Sequence, residues 1–62
     1  MIKVTRINDA ELTINSDLIE FIEATPDTTI TLTTGRKIIV KETIDMIIEK
    51  IVVYKGEIQK IR

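Results

Sequence analysis

The sequence predicts an α+β fold: a small antiparallel β-sheet of about five strands, a meander or a partly closed barrel, followed by one C-terminal amphipathic α-helix. Three observations predict it. Up to Glu42, short apolar-rich runs alternate with turn residues, and Thr29, Thr31 and Thr33 alternate strictly with Ile30 and Leu32. Pro26-Asp27 and Thr34-Gly35 punctuate the later runs as turn dipeptides. Beyond Glu42 the apolar period changes from 2 to about 3.6, the mark of a chain leaving a sheet and entering a helix.

The first strand is expected over 2–7, with Ile2 and Val4 on one face and Lys3 and Thr5 on the other. Asn8, Asp9 and Ala10 make a turn, since Asn and Asp tolerate left-handed backbone angles. A return strand over 11–14 turns Leu12 and Ile14 inward and completes a hairpin. Asn15, Ser16 and Asp17 permit two readings. They could cap a helix, with Leu18, Phe21 and Ile22 following at helical spacing, or lead into a strand over 19–24. The strand is favoured, because the alternating segment after it needs a partner. Between the two, Thr25-Pro26-Asp27-Thr28 forms a turn in which Pro presets φ and Asp can close the turn through its side chain.

The alternating segment is expected as a strand over 28–33. Thr34-Gly35 then turns the chain, with Gly supplying a positive φ. The strand over 37–41 places Ile38 and Val40 on the core face and Lys37, Ile39 and Lys41 outside. The helix begins near Thr43, a plausible N-cap, with Glu42 and Asp45 favouring its positive end. It covers 43–55, with Ile44, Ile47, Ile48, Ile51 and Tyr54 as core stripe and Val52 at the margin. Met46 and Val53 fall on the opposite side, seven residues apart. Gly56 either ends the helix or is tolerated within it at a cost of about 1 kcal/mol, in which case the helix continues to 61.

Sixty-two residues make one domain, 1–62, near the lower limit for a chain that folds alone. Fourteen are isoleucine, and the only aromatics are Phe21 and Tyr54; such a β-branched core suits strands. The mean hydropathy, +0.13, is high for so short a soluble chain. Surplus apolar residues have nowhere to go within one copy, so a homo-oligomer is expected. The net charge of −1, with both signs spread along the chain, argues against nucleic acid as a partner. The longest apolar run, Ile51 to Tyr54, is far below the roughly 18 residues of a membrane span. The N-terminal alternation is not a signal-peptide pattern, so a cytoplasmic chain that is not transmembrane is expected.

Catalytic chemistry is sparse. The chain has neither cysteine nor histidine, which removes thiolate sites, the commonest metal ligand and the usual general base. Ser16 is the only serine and has no histidine to activate it. Thr29, Thr31 and Thr33 read as surface cross-strand residues. Asp17, Glu20 and Glu23 would share a face only on a helix, where they could hold a hard cation weakly; as solvated carboxylates on a strand they bind nothing. Gly35 and Gly56 are isolated, so there is no phosphate loop. No enzyme activity, cofactor or metal is expected.

Two surfaces remain. Arg36 and Lys37 at a hairpin tip, and Lys50 and Lys55 on the helix, are candidate partner contacts, weighed against turn solubility and complementation of the negative helix end. Met46 and Val53, stacked on the outer side of the helix, are candidates for self-association, and Ile39 for the same or a second contact.

Several segments together resemble the FlbD/SwrD family of small flagellar and swarming-motility proteins. They are Met1-Ile2-Lys3-Val4-Thr5-Arg6, Asn15-Ser16-Asp17-Leu18-Ile19-Glu20, Ala24-Thr25-Pro26-Asp27-Thr28, Leu32-Thr33 with Gly35, and Ile39-Val40-Lys41-Glu42. The resemblance spans about Met1 to Tyr54. The chain departs from the family pattern at Thr34, where Asn usually precedes the turn glycine, and at Asp9-Ala10, where a glycine-containing turn is common.

The resemblance implies an accessory protein at the inner face of the membrane near the flagellar motor, supporting its power output by contact with a stator protein. It transfers no functional residue. The alternative is a small regulator of flagellar gene expression that binds nucleic acid or a transcription factor, for which Arg36 and Lys37 are the sole support.

Overall fold

The computed structural model describes residues 1–60, with side chains through Gly56. Strands β1 (Ile2–Thr5) and β2 (Glu11–Ile14) pair antiparallel, with Ile2 opposite Ile14 and Val4 opposite Leu12. Strands β3 (Ile19–Glu23), β4 (Thr28–Leu32) and β5 (Lys37–Val40) form a second antiparallel sheet with β4 in the middle. Helix α1 follows, over Ile44–Lys60. The α+β class, the five strands and the final helix are as the sequence predicts. The strands, however, divide between two sheets, and no barrel closes.

One bridge joins the sheets. Arg6 lies opposite Val40, the Lys41 N–H donates to the Thr5 carbonyl at 2.8 Å, and the Ile7 N–H donates to the Ile39 carbonyl at 3.3 Å. The pairing stops there because the chain turns away. Asp9 adopts a φ of 72°, its N–H donates to the Arg6 carbonyl at 2.9 Å, and the Arg6 N–H donates to the Ala10 carbonyl at 2.8 Å. Asn8 steadies the bend by accepting the Ala10 N–H on its side-chain oxygen at 3.1 Å. Asp9 thus takes the left-handed backbone that a glycine would supply, as Asp can at modest cost. The first strand consequently ends at Thr5, short of the expected 2–7.

Both readings of Asn15 hold in part. Its side chain accepts the Asp17 N–H at 3.0 Å and caps a helix, but only one 3-10 turn, Ser16–Leu18, before β3 begins at Ile19. Beyond β3, the Thr25–Pro26 peptide is cis. Gly35 takes the expected positive φ, 92°, in the turn between β4 and β5, where its N–H donates to the Leu32 carbonyl at 2.9 Å.

The core is contributed by all three units. Ile2, Val4 and Ile14 come from the first sheet, Ile30, Ile38 and Val40 from the second, and Ile47 from α1. Ile22, Ile30 and Ile38 stand in one cross-strand row, with Ile30 fully covered. Burying each such side chain contributes about 1.5–3 kcal/mol. For a chain without disulfides this aliphatic layer is the main source of stability.

Two burial expectations are corrected. The strand alternation predicts a surface Thr31, yet it is only 4% exposed and its hydroxyl has no hydrogen-bond partner. It lies on the central strand, flanked directly by Phe21 and Lys37 on the two neighbouring strands. The helical spacing predicts Ile48 in the core stripe, but it is 49% exposed. The covered face of α1 is Ile44, Ile47, Ile51 and Tyr54 with Lys50 half-buried beside them, so the helix is turned toward Lys50 and away from Ile48.

The helix start is fixed twice. Thr43 caps it as expected, accepting the Met46 N–H on its hydroxyl at 3.2 Å, while its carbonyl accepts the Ile47 N–H at 3.1 Å. Glu42, one residue earlier, turns back onto β1 and accepts the Thr5 N–H on both carboxylate oxygens, at 2.9 and 3.0 Å.

Candidate functional interface

The functional candidates sort into two separate surfaces. The first lies at the free end of β5. Arg36 and Lys37 leave the Gly35 turn and meet Arg6, Ile7 and Asn8, which the bridge to Val40 and the Asp9 bend bring alongside. With Ile38 and Ile39 these residues line an open depression of about 260 Å³. Ile39 is exposed, as the strand alternation predicts, and so is Ile7. Three lining residues are cationic and none is acidic. The nearby Asp9 carboxylate is engaged by Lys41 in a surface ion pair.

The second surface lies between the start of β1 and α1. Met1, Ile2 and Lys3 face Met46, Glu49, Lys50, Val53 and Tyr54 across an open depression of about 450 Å³. Met46 and Val53 are about half exposed, but they lie on the flank of α1 that faces β1 rather than on the side opposite the core, because the helix is turned toward Lys50. Ile39 does not join them; it lines the first depression. Charges here are mixed, Lys3 and Lys50 against Glu49.

The four candidate contact cations therefore part company. Arg36 and Lys37 share one surface. Lys50 is half-buried at the other, where its charge acts on the Glu42 carboxylate. Burial alone would raise the pKa of Glu42. The N–H groups of Thr5 and of Glu42 itself, with Lys50, outweigh that effect and hold the carboxyl below its ordinary value of 4.5. Lys55 is exposed and lines neither depression.

Arg6, Ile7 and Glu42 are the residues that sequence reasoning missed. Arg6 and Ile7 carried a signal, a cation and an isoleucine just before an Asn-Asp turn, but were absorbed into a continuous strand. Glu42 lies 37 positions from its partner Thr5, and no local pattern points to that contact.

The remaining chemistry is thin. Asp17, Glu20 and Glu23 are exposed, and among the described residues no group of three or more His, Cys, Asp or Glu side chains could hold a metal ion. Ser16 is buried with its hydroxyl unpartnered. Among the described residues, no helix is long and apolar enough to cross a membrane. Both surfaces set exposed aliphatic side chains beside cations, one at a sheet end and one on a helix flank.

Comparison with known proteins places a family on this chain. The family model described as FlbD, flagellar and swarming motility proteins, matches residues 1–59. No curated protein and no solved structure matches.

Proposed function

The chain belongs to the FlbD family of flagellar and swarming motility proteins, and from that premise we propose that it is a non-enzymatic accessory of the flagellar motor. In this reading it supports motor power by protein–protein contact with a stator protein at the cytoplasmic face of the membrane. The family match over 1–59 carries the reading. The exposed aliphatic residues Ile7, Ile39, Met46 and Val53 support it, as apolar surface that a partner could cover. The division of labour is that Met46 and Val53 mediate self-association, while Arg36 and Lys37 face the partner.

The test is a motility measurement that separates power from gene expression. Cells lacking the chain should keep normal flagellar number and flagellar transcript levels but show reduced torque in tethered-cell rotation, restored by the wild-type chain. A loss of flagella or of flagellar transcripts, with normal torque in the remaining motors, would instead support a regulator acting on nucleic acid or a transcription factor.

A further inference from the structure

We propose that the free edge of β5, beside Arg6, Arg36 and Lys37, binds an acidic extended segment of a partner protein as an added β-strand. The proposal rests on the reading of Arg36 and Lys37 as the partner-facing surface and names the chemistry that this surface selects.

The backbone carries the first half of the argument. At the bridge, the Ile39 carbonyl and the Lys41 N–H point toward β1, where Ile7 and Thr5 pair with them. In an antiparallel strand the N–H and C=O of one residue point the same way and alternate residues share that direction. The backbone groups of Lys37, and the N–H of Ile39, therefore face the same side. The even-numbered groups face β4 instead, as the Arg36 carbonyl does in accepting the Leu32 N–H at 2.9 Å. The Asp9 bend carries the chain away after Ile7, and among the described residues no strand covers this stretch. The Lys37 N–H, the Lys37 carbonyl and the Ile39 N–H are thus left as two donors and one acceptor in a row.

The side chains carry the second half. The same edge opens into the depression lined by Arg6, Arg36 and Lys37, with Ile7 and Ile39 exposed beside them and no acidic lining residue. Lys37 and Ile39 share the outer face of β5, so carboxylates on the outer face of an incoming strand could meet Lys37 beside Ile39, while the aliphatic side chains of its other face turn toward the side of the sheet where Ile38 lies. Main-chain pairing supplies part of the affinity and the charges supply selection, which is the logic of strand addition to a sheet edge. A bare anion or a nucleic acid would use the cations but leave the backbone groups and both isoleucines without a role, and the lining has no aromatic residue on which bases could stack.

A titration of the isotope-labelled full chain, followed by amide chemical shifts, tests this with three blocked seven-residue peptides. One alternates glutamate and valine, one alternates lysine and valine, and one keeps the glutamates but carries a central proline. The first should bind saturably, with its largest shifts at the Lys37 and Ile39 amides. Affinity should fall at least about tenfold for the other two peptides and for the Arg36→Glu, Lys37→Glu pair. Both of those side chains are exposed, and the neutral Arg36→Gln, Lys37→Gln pair serves as a second variant that should bind more weakly than wild type. Equal binding of the proline peptide would reduce the site to simple charge attraction and overturn the proposal. So would a failure of the glutamate peptide to bind, or a tighter response of these amides to inorganic phosphate, a DNA oligomer or anionic vesicles. Stator capture in cells without peptide binding would sink this inference alone; peptide binding without stator capture would sink the motor reading alone.

Discussion

Glu42 holds the backbone of Thr5 through both oxygens of its carboxylate, at 2.9 and 3.0 Å, across 37 positions of sequence. This contact sits where three elements converge: the end of β1, the end of β5 and the start of α1. Glu42 is only 8% exposed, so its charge is stabilised by the groups it accepts from rather than by water. The carboxylate thereby ties the end of β1 to the turn that leads into α1.

Stability should therefore depend on the ionisation of Glu42. Its folded pKa is depressed below the ordinary 4.5, so its contribution is present above that value and is lost as pH falls through the folded pKa. Glu42→Ala should cost about 1.5–3 kcal/mol at pH 7 in urea unfolding, the range for a hydrogen bond to a charged group. The cost should shrink as pH falls through the depressed folded pKa and the wild-type carboxyl itself becomes protonated. A cost that does not change between pH 7 and pH 3 would show that the charge is immaterial.

The turn at Gly35 demands its glycine for a backbone reason. A Cβ there would meet no atom within 4 Å, but φ is +92°. Gly35→Val should destabilise by more than about 1 kcal/mol through backbone strain alone, with Gly35→Asn costing less because Asn tolerates positive φ better. Equal melting temperatures for Val, Asn and wild type would exclude this turn geometry.

The rotation of α1 separates two adjacent isoleucines. Ile47 has no exposed surface and Ile48 is half exposed. Ile47→Ala should cost about 2–5 kcal/mol, whereas Ile48→Ala should stay within about 1 kcal/mol. Comparable losses for both would mean that the helix packs on the wider stripe, Ile48 included, that the sequence alone suggests.

That contrast shows where the sequence was readable. The strand-rich first part, the Gly35 turn, the Thr43 cap and the outward Ile39 all follow from local periodicity and turn chemistry, which act over a few residues. Thr31 and Ile48 depart from the local pattern because burial depends on neighbours: one sits on the central strand between Phe21 and Lys37, and the lean of the helix toward Lys50 exposes the other. The candidate interface was half legible. Arg36, Lys37 and Ile39 stood out as residues, but their meeting with Arg6 and Ile7 depends on the Asp9 bend and the Arg6–Val40 bridge. Those are tertiary facts that no pattern in the chain announces.

Self-association is expected at the depression between β1 and α1. Met46→Glu with Val53→Lys should dissociate the oligomer while preserving the far-UV spectrum, since both side chains are about half exposed within one copy and burying each in an interface contributes up to about 1.5–3 kcal/mol. Light scattering decides the matter. A wild-type chain that is monomeric at tens of micromolar, or a double variant of unchanged mass, would remove this interface.

Photo-crosslinking in motile cells, from probes at positions 36, 46 and 53, tests the central claim most directly. The account predicts that position 36 captures a stator subunit, while positions 46 and 53 capture a second copy of the chain. Capture of a transcription factor from position 36, or of nothing but the chain itself from all three positions, would contradict it.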